Sequence, residues 1–360
     1  MKKLYLIILP FICFLCETHA QINQDLILKY DSAMAQKDYN QGFRYILEIY
    51  NNSFSFESAV VLAGHFIGGI GTDVDFKTAA QLYKGVADGT EYDRNNTIAN
   101  LYVGFASRQY ALMLKNIKGS FDKEAFKYLL KADSVSNDAF SQFIIGLLYI
   151  DEYNELAASD VLIRSKDIAK AFFKKSAEKN CIGALTELGI IYDSEGEKDA
   201  AFDCWQKAAN TSLYNPEEYI HSDPFSRLVN PNYITEPLTV LEQNEAFYRL
   251  AVGFSDIEND SRATFWADKI TITNDTRYLD IKASLYAVNG EKQKAIDTYL
   301  REYELSKDTK VLGRLAIAHY TIWHDEAEAM RIFERMRELG DTSVDNAIKV
   351  LTQDKQNNGK

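Results

Sequence analysis

Apolar residues recur at helical spacing along most of the chain and long alternating runs are nearly absent, so the pattern predicts an all-α protein. A second pattern lies on top of the first. A small residue is followed by a bulky pair, then a basic residue, then more small or apolar positions. Ala201 leads Cys204-Trp205, Lys207 and Ala208-Ala209; Ala169 leads Phe172-Phe173, Lys175 and Ser176-Ala177; Ala125 leads Tyr128-Leu129, Lys131 and Ala132. Ala79 leads Leu82-Tyr83 and Val86-Ala87, Ala295 leads Thr298-Tyr299 and Arg301, and Ala329 leads Ile332-Phe333 and Arg335. Weaker copies begin at Gly42, with Tyr45-Ile46, and at Ala263, with Trp266 and Lys269. Such a pattern suits paired helices, because a small residue lets two helices approach while the bulky pair one turn on fills the space to the next pair.

Each such helix has an upstream partner. Gly189 stands twelve residues before Ala201, inside Ala184-x-x-x-Leu188-Gly189-x-x-Tyr192. Ala283, Ala251 and Ile317 stand twelve before Ala295, Ala263 and Ala329, each with an aromatic three residues on, at Tyr286, Phe254 and Tyr320. Earlier partners carry Ala59 with Gly64, Ala99 with Gly104, and Ile145-Gly146-x-x-Tyr149, with longer loops to follow. The small-residue positions step by 37, 46, 44, 32, 62, 32 and 34 residues. The 62-residue step holds Pro216, Pro224, Pro231 and Pro237, and since proline blocks helix interiors, residues 213–240 are expected to form a non-helical insert.

Residues 184–209 closely resemble the Sel-one-like repeat (SLR) family, a branch of the tetratricopeptide class. Its pattern is Ala-x-x-x-Leu-Gly-x-x-Tyr, a glycine-rich loop, then Lys-Ala-x-x-Trp-Tyr-x-Lys-Ala-Ala. Gly68-Gly69-Ile70-Gly71 before Asp75 resembles the family loop, and the copies at Ala295 and Ala329 are similar to plain tetratricopeptide repeats. The expected fold is thus an all-α, right-handed α-solenoid of about eight stacked antiparallel helix pairs with one proline-rich non-helical insert. Its expected divisions are 21–212, about five pairs; the insert or linker 213–240; 241–350, about three pairs; and a polar tail, 351–360. Some secreted members of the family staple each repeat with a disulfide. Antiparallel pairing about a turn near residue 195 places Cys204 about five residues and ~7.5 Å of helix rise from Cys181, which leaves that pairing open.

Residues 1–20 read as a secretory signal peptide: Lys2-Lys3, an apolar run from Leu4 to Leu15 broken by Pro10, then Thr18-His19-Ala20 with small residues suited to cleavage before Gln21. The run is too short to span a bilayer, and Cys13 and Cys16 lack the preceding small residues of a lipoprotein. The mature chain is expected to be soluble and exported, periplasmic or extracellular. Of 360 residues, 40 are Lys or Arg and 52 Asp or Glu. Loss of Lys2, Lys3 and Glu17 leaves a net charge of −13, which argues against nucleic acid as a partner and favours a basic one.

Candidate chemistry is thin. Ser176-Ala177-Glu178-Lys179 fits the Ser-x-x-Lys of penicillin-recognising enzymes, but Ser120-Phe121-Asp122-Lys123 fits as well, Lys-Thr-Gly is absent, and Ser176 stands at a packing position. His319 and Trp323 lie four apart on one helical face, His324-Asp325 reads as a solvated turn or helix cap, and His65 as a helix-surface or packing residue. Most aromatics occupy packing positions; Tyr214, Tyr219, Phe225 and Tyr233, in the insert, are expected to clamp it to the repeats. We therefore expect no catalytic, metal or cofactor site. The expected function is a non-enzymatic envelope scaffold binding a protein or peptide in the solenoid groove, with an envelope hydrolase, β-lactamase-like or cell-wall-directed, and a soluble glycan-binding repeat protein as alternatives. N-terminal sequencing of exported material should begin at Gln21; an intact Met1 in a membrane-retained form would contradict the leader.

Overall fold

The computed structural model describes residues 24–52, 55–89, 97–150, 162–213 and 237–358. The leader and the four insert aromatics lie outside these residues. Every regular element among the described residues is helical. The helices pair in sequence: α1 (24–35) with α2 (Tyr39–Asn52), α3 (Phe56–Gly68) with α4 (Phe76–Ala87), α5 (Thr97–Lys118) with α6 (Lys123–Ser136), and α7 (Ala139–Ile150) with α8 (Lys166–Ala177). There follow α9 (Ile182–Ser194) with α10 (Lys198–Asn210), α11 (Pro237–Asp256) with α12 (Asp260–Lys269), α13 (Thr276–Val288) with α14 (Lys292–Ser306), and α15 (Thr309–Thr321) with α16 (Glu326–Glu338). A 3-10 turn, Thr342–Val344, and α17 (Asp345–Asn358) complete the described chain.

The small residues do what their volume requires. Ala79, Ala125, Ala169, Ala201, Ala263, Ala295 and Ala329, one on each second helix from α4 on, are all 0% exposed. Gly42 is also buried, and a Cβ there would stand 2.8 Å from Met34 Sδ. Four residues after the small position comes the ring that fills the gap. Phe173 packs so closely on Gly146 of α7, and Trp205 on Gly189 of α9, that a Cβ on either glycine would overlap the ring. Phe173 is fully buried and Trp205 nearly so, and burying an aromatic side chain of this size contributes roughly 1.5–3 kcal/mol.

Five of the second helices begin at a capping side chain, while those starting after Glu197 and Glu291 have none. Asp75, Ser165, Asn259 and Asp325 each stand four residues before the small position and accept a hydrogen bond from the first turn's backbone N–H groups; Asp122 does the same from three residues before. Removing such a cap costs about 0.5–2 kcal/mol. A fixed start keeps the small residue on the inner face of its helix, so cap and packing register depend on each other.

The chain divides into two compact units, and the division falls inside α9, after Leu188. The reason is visible in the second unit, where Gly189 packs on Trp205, Phe202 of α10 meets Phe254 of α11 edge to face at 5.4 Å, and Gln243 Nε2 donates to Thr211 O at 2.8 Å. The pair α9/α10 thus continues directly into α11. Residues 214–236 of the insert lie outside the described residues, but Pro237 opens α11, so 238–240, expected to be non-helical, are helical; proline lacks an N–H that a first helical position does not need. The tail differs too. Leu351 is buried against the last pair, and α17 carries on to Asn358.

Ala201→Leu and Gly146→Ala should each destabilise the protein by about 1–3 kcal/mol through overpacking, whereas Lys198→Ala, which loses an exposed ion pair with Asp193, should stay within ~0.5 kcal/mol. Urea midpoints check this, and equal midpoints for all three variants would contradict the register.

Candidate functional site

The Ser-x-x-Lys residues are brought together, but around a neighbouring turn rather than around a cleft. Ser176 is 0% exposed and its Oγ donates to Ala139 O at 2.6 Å. One helical turn on, Lys179 Nζ donates to Asn137 O, and burial lowers the Lys179 pKa below its usual value despite Asp138 and Asp133 nearby. Asn137 has φ of 54°, the left-handed conformation that ends α6. The motif therefore clasps the α6–α7 turn, its hydroxyl and its Nζ each donating to a backbone carbonyl there. Ser120 stands in the turn before α6, and Lys123 is the exposed first residue of that helix.

His65 is likewise occupied at both ring nitrogens. Nδ1 lies 2.6 Å from Ile70 O, which can only accept, so Nδ1 carries the proton and Nε2 accepts from the Tyr30 hydroxyl at 3.1 Å. Burial lowers the imidazole pKa, keeping it neutral in this role. The glycine loop it closes is a turn: Gly69 and Gly71 have φ of 61° and 71°, and a side chain on Gly71 would strike the Tyr39 backbone.

At the other end of the chain, His319 meets Trp323 edge to face at 4.7 Å, with Nδ1 3.4 Å from Asp325 Oδ2. Asp325 also caps α16 through Glu328 N and pairs with Lys292 at 3.3 Å, while His324 makes the turn at φ of 54°. Among the described residues no group of three or more His, Cys, Asp or Glu is placed to hold a metal ion. His319 and Asp325 instead form one end of a half-open cleft of about 700 Å³ between α14 and α16, floored by Leu312 and Leu315 of α15. A shallower one of about 410 Å³ shares Leu300 with it.

No protein-family model matches the chain, and no curated protein matches it. Solved structures do match. A Sel1 repeat protein from Oxalobacter formigenes aligns with 77% of this chain and 99% of its own, with a TM-score of 0.51 at 15% identity. The chain has the Sel-one-like repeat fold. A protective antigen present in uropathogenic Escherichia coli strains, displaying an SLR fold, aligns with 92% of this chain and 73% of its own, with a TM-score of 0.49 at 18% identity.

Within this SLR fold Cys181 and Cys204 are both buried free thiols, and burial pushes the Cys181 pKa up to about 11. Several polar clusters carried no advance signal, because their members come from three different helices. Lys84 Nζ donates to Tyr128 OH at 3.0 Å, Tyr128 OH donates to Asp88 at 2.6 Å, and Tyr110 OH donates to Glu124 at 2.9 Å, tying α4, α5 and α6 together. Burial pushes the Tyr110 pKa up to about 12. Arg108 and Asp138 form an ion pair at 2.9 Å, both side chains buried, with Asp138 also accepting from Ser141 N to begin α7. In the second unit Glu302, 3% exposed, accepts from Arg314 Nη2 at 2.5 Å while Arg314 Nε lies 2.8 Å from Asp280.

Burial pushes the Glu302 carboxyl up to about 7, against the pull of Arg314. The folded state then holds a proton that the unfolded chain, near the ordinary 4.5, has already released, so ionisation of Glu302 destabilises the fold as pH rises from about 4.5 through about 7. Glu302→Gln should therefore gain stability relative to the parent across that window, by roughly 1–3 kcal/mol in all. Urea unfolding at about pH 4.5, 6 and 7.5 measures it, and a difference that does not change with pH would contradict the buried-carboxyl assignment.

Proposed function

We propose that the protein is a non-enzymatic repeat scaffold, exported to the cell envelope, that binds a protein or peptide through the surfaces its helix pairs leave open. The observation that carries this reading is the fate of Ser176, a candidate nucleophile with a lysine three residues on: it lies inside the fold, bonded to Ala139 O. His65 and Asp325 are spent in the same way, on a loop carbonyl and a helix start. Stacked helix pairs, by contrast, present long continuous faces that suit extended partners. Export rests on the Lys2-Lys3, Leu4-to-Leu15 and Thr18-His19-Ala20 pattern, and no helix among the described residues is long and apolar enough to cross a membrane. The charge of −13 after loss of the leader favours a basic partner.

Affinity capture from the native envelope, read by mass spectrometry, tests the reading. Association with the captured partner should slow as salt rises to physiological strength, where exposed charges beyond ~8 Å are screened. β-Lactam and peptidoglycan substrates should stay intact. Turnover of either, lost in Ser176→Ala, would replace the scaffold with a hydrolase.

A further inference from the structure

The basic residue six positions after the small one has a job in the first unit. Lys131 Nζ donates to Ala87 O at 2.6 Å, and Lys175 Nζ lies 3.8 Å from Asp133 Oδ2. Ala87 and Asp133 each stand eight residues after the small position of the preceding copy, so the lysine reaches back to the C-terminal turn of the previous second helix. Cations are favoured there, where the last carbonyls of a helix lack partners. The same count in the last copy puts Arg335 opposite Tyr303 of α14. Both line the 700 Å³ cleft instead, and Arg335 makes no ion pair among the described residues.

We infer that the α14–α16 cleft is a docking site for a basic amphipathic helix of a partner protein. This rests on the scaffold reading and names its contact surface. The two walls offer what such a helix needs. Ile296, Leu300 and Tyr303 stand at i, i+4 and i+7 on α14, facing Ile332 and Arg335 of α16, and the floor of Leu312 and Leu315 is apolar. That is a groove for the apolar stripe of a helix. The rim supplies the charge selection. Around the two adjoining clefts stand six carboxylates, Asp325, Glu328, Glu334, Glu338, Asp297 and Glu304, against three arginines, Arg331, Arg335 and Arg301. Glu328 pairs with Arg331 at 2.5 Å and Asp325 with Lys292 at 3.3 Å, which leaves Glu334, Glu338, Asp297 and Glu304 against Arg335 and Arg301. A docked helix flanked by Lys or Arg would meet this excess of carboxylate, and the unused Arg335 donors would take the carbonyls at its C-terminal end.

The test uses the full chain and a fluorescein-labelled 18-residue Leu/Lys amphipathic peptide, read by fluorescence anisotropy at low and at physiological salt. Binding should weaken at least tenfold in Glu334→Lys/Glu338→Lys and in Leu300→Lys, exposed positions whose change leaves the core intact. The remote charge reversal Glu48→Lys/Asp203→Lys should change it less than twofold, and a Leu/Glu peptide of the same pattern should not bind. No binding of the Leu/Lys peptide overturns the proposal, as does equal weakening in the remote variant, the sign of unspecific charge attraction. Either result leaves the scaffold reading standing. Cleavage of the peptide, seen by mass spectrometry, would overturn the scaffold reading itself.

Discussion

The contact between a small residue on one helix and a ring on its partner is what the rest of the structure depends on. Ala169 and Ala201, both 0% exposed, let their helices come close enough for Phe173 and Trp205 to lie over Gly146 and Gly189. A close-packed interior tolerates little change of volume at such a point, so the helix start must be fixed as well. Ser165 fixes it for the helix of Ala169, as Asn259 and Asp325 do in two later copies, and polar side chains are drawn into the same task.

That demand accounts for much of the polar content of the described helices and turns. A stack of helix pairs creates helix ends at every turn, each with backbone groups lacking partners. Ser176 and Lys179 serve the turn at Asn137, His65 serves the glycine loop, and Lys131 serves the end of α4. The buried Arg108–Asp138 pair does similar work at the start of α7, where Asp138 also accepts from Ser141 N. Lys131 and Lys175, at one repeat position of the first unit, thus connect neighbouring copies.

The second unit departs from this economy in two places. Glu302 is buried with two charged neighbours, Arg314 and Asp280, rather than with one matched partner. Arg335, like Lys269 and Arg301 at the same repeat position, makes no ion pair to the preceding copy among the described residues, and it lines a cleft. Repeats that share a backbone pattern can therefore differ in what their surfaces leave unsatisfied, and those differences are where recognition can reside.

The sequence by itself determined the helical class, the eight pairs and the small-bulky-basic register, because each is written in residues within one or two helical turns of one another and follows from side-chain volume and periodicity. It located the turn at His324 and the cap at Asp325 for the same local reason. The division within α9 and the helical course of the last described residues follow from what packs on Trp205 and Leu351. The partners of Ser176, His65 and Glu302, and the cleft beside Arg335, belong to the tertiary structure alone. Ser176 reaches a carbonyl 37 residues away and Tyr30 reaches His65 across 35, separations that leave no spacing signature in the chain. Burial, which decides whether a hydroxyl is a nucleophile or a clasp and whether a carboxyl keeps its proton, exists once the helices have met.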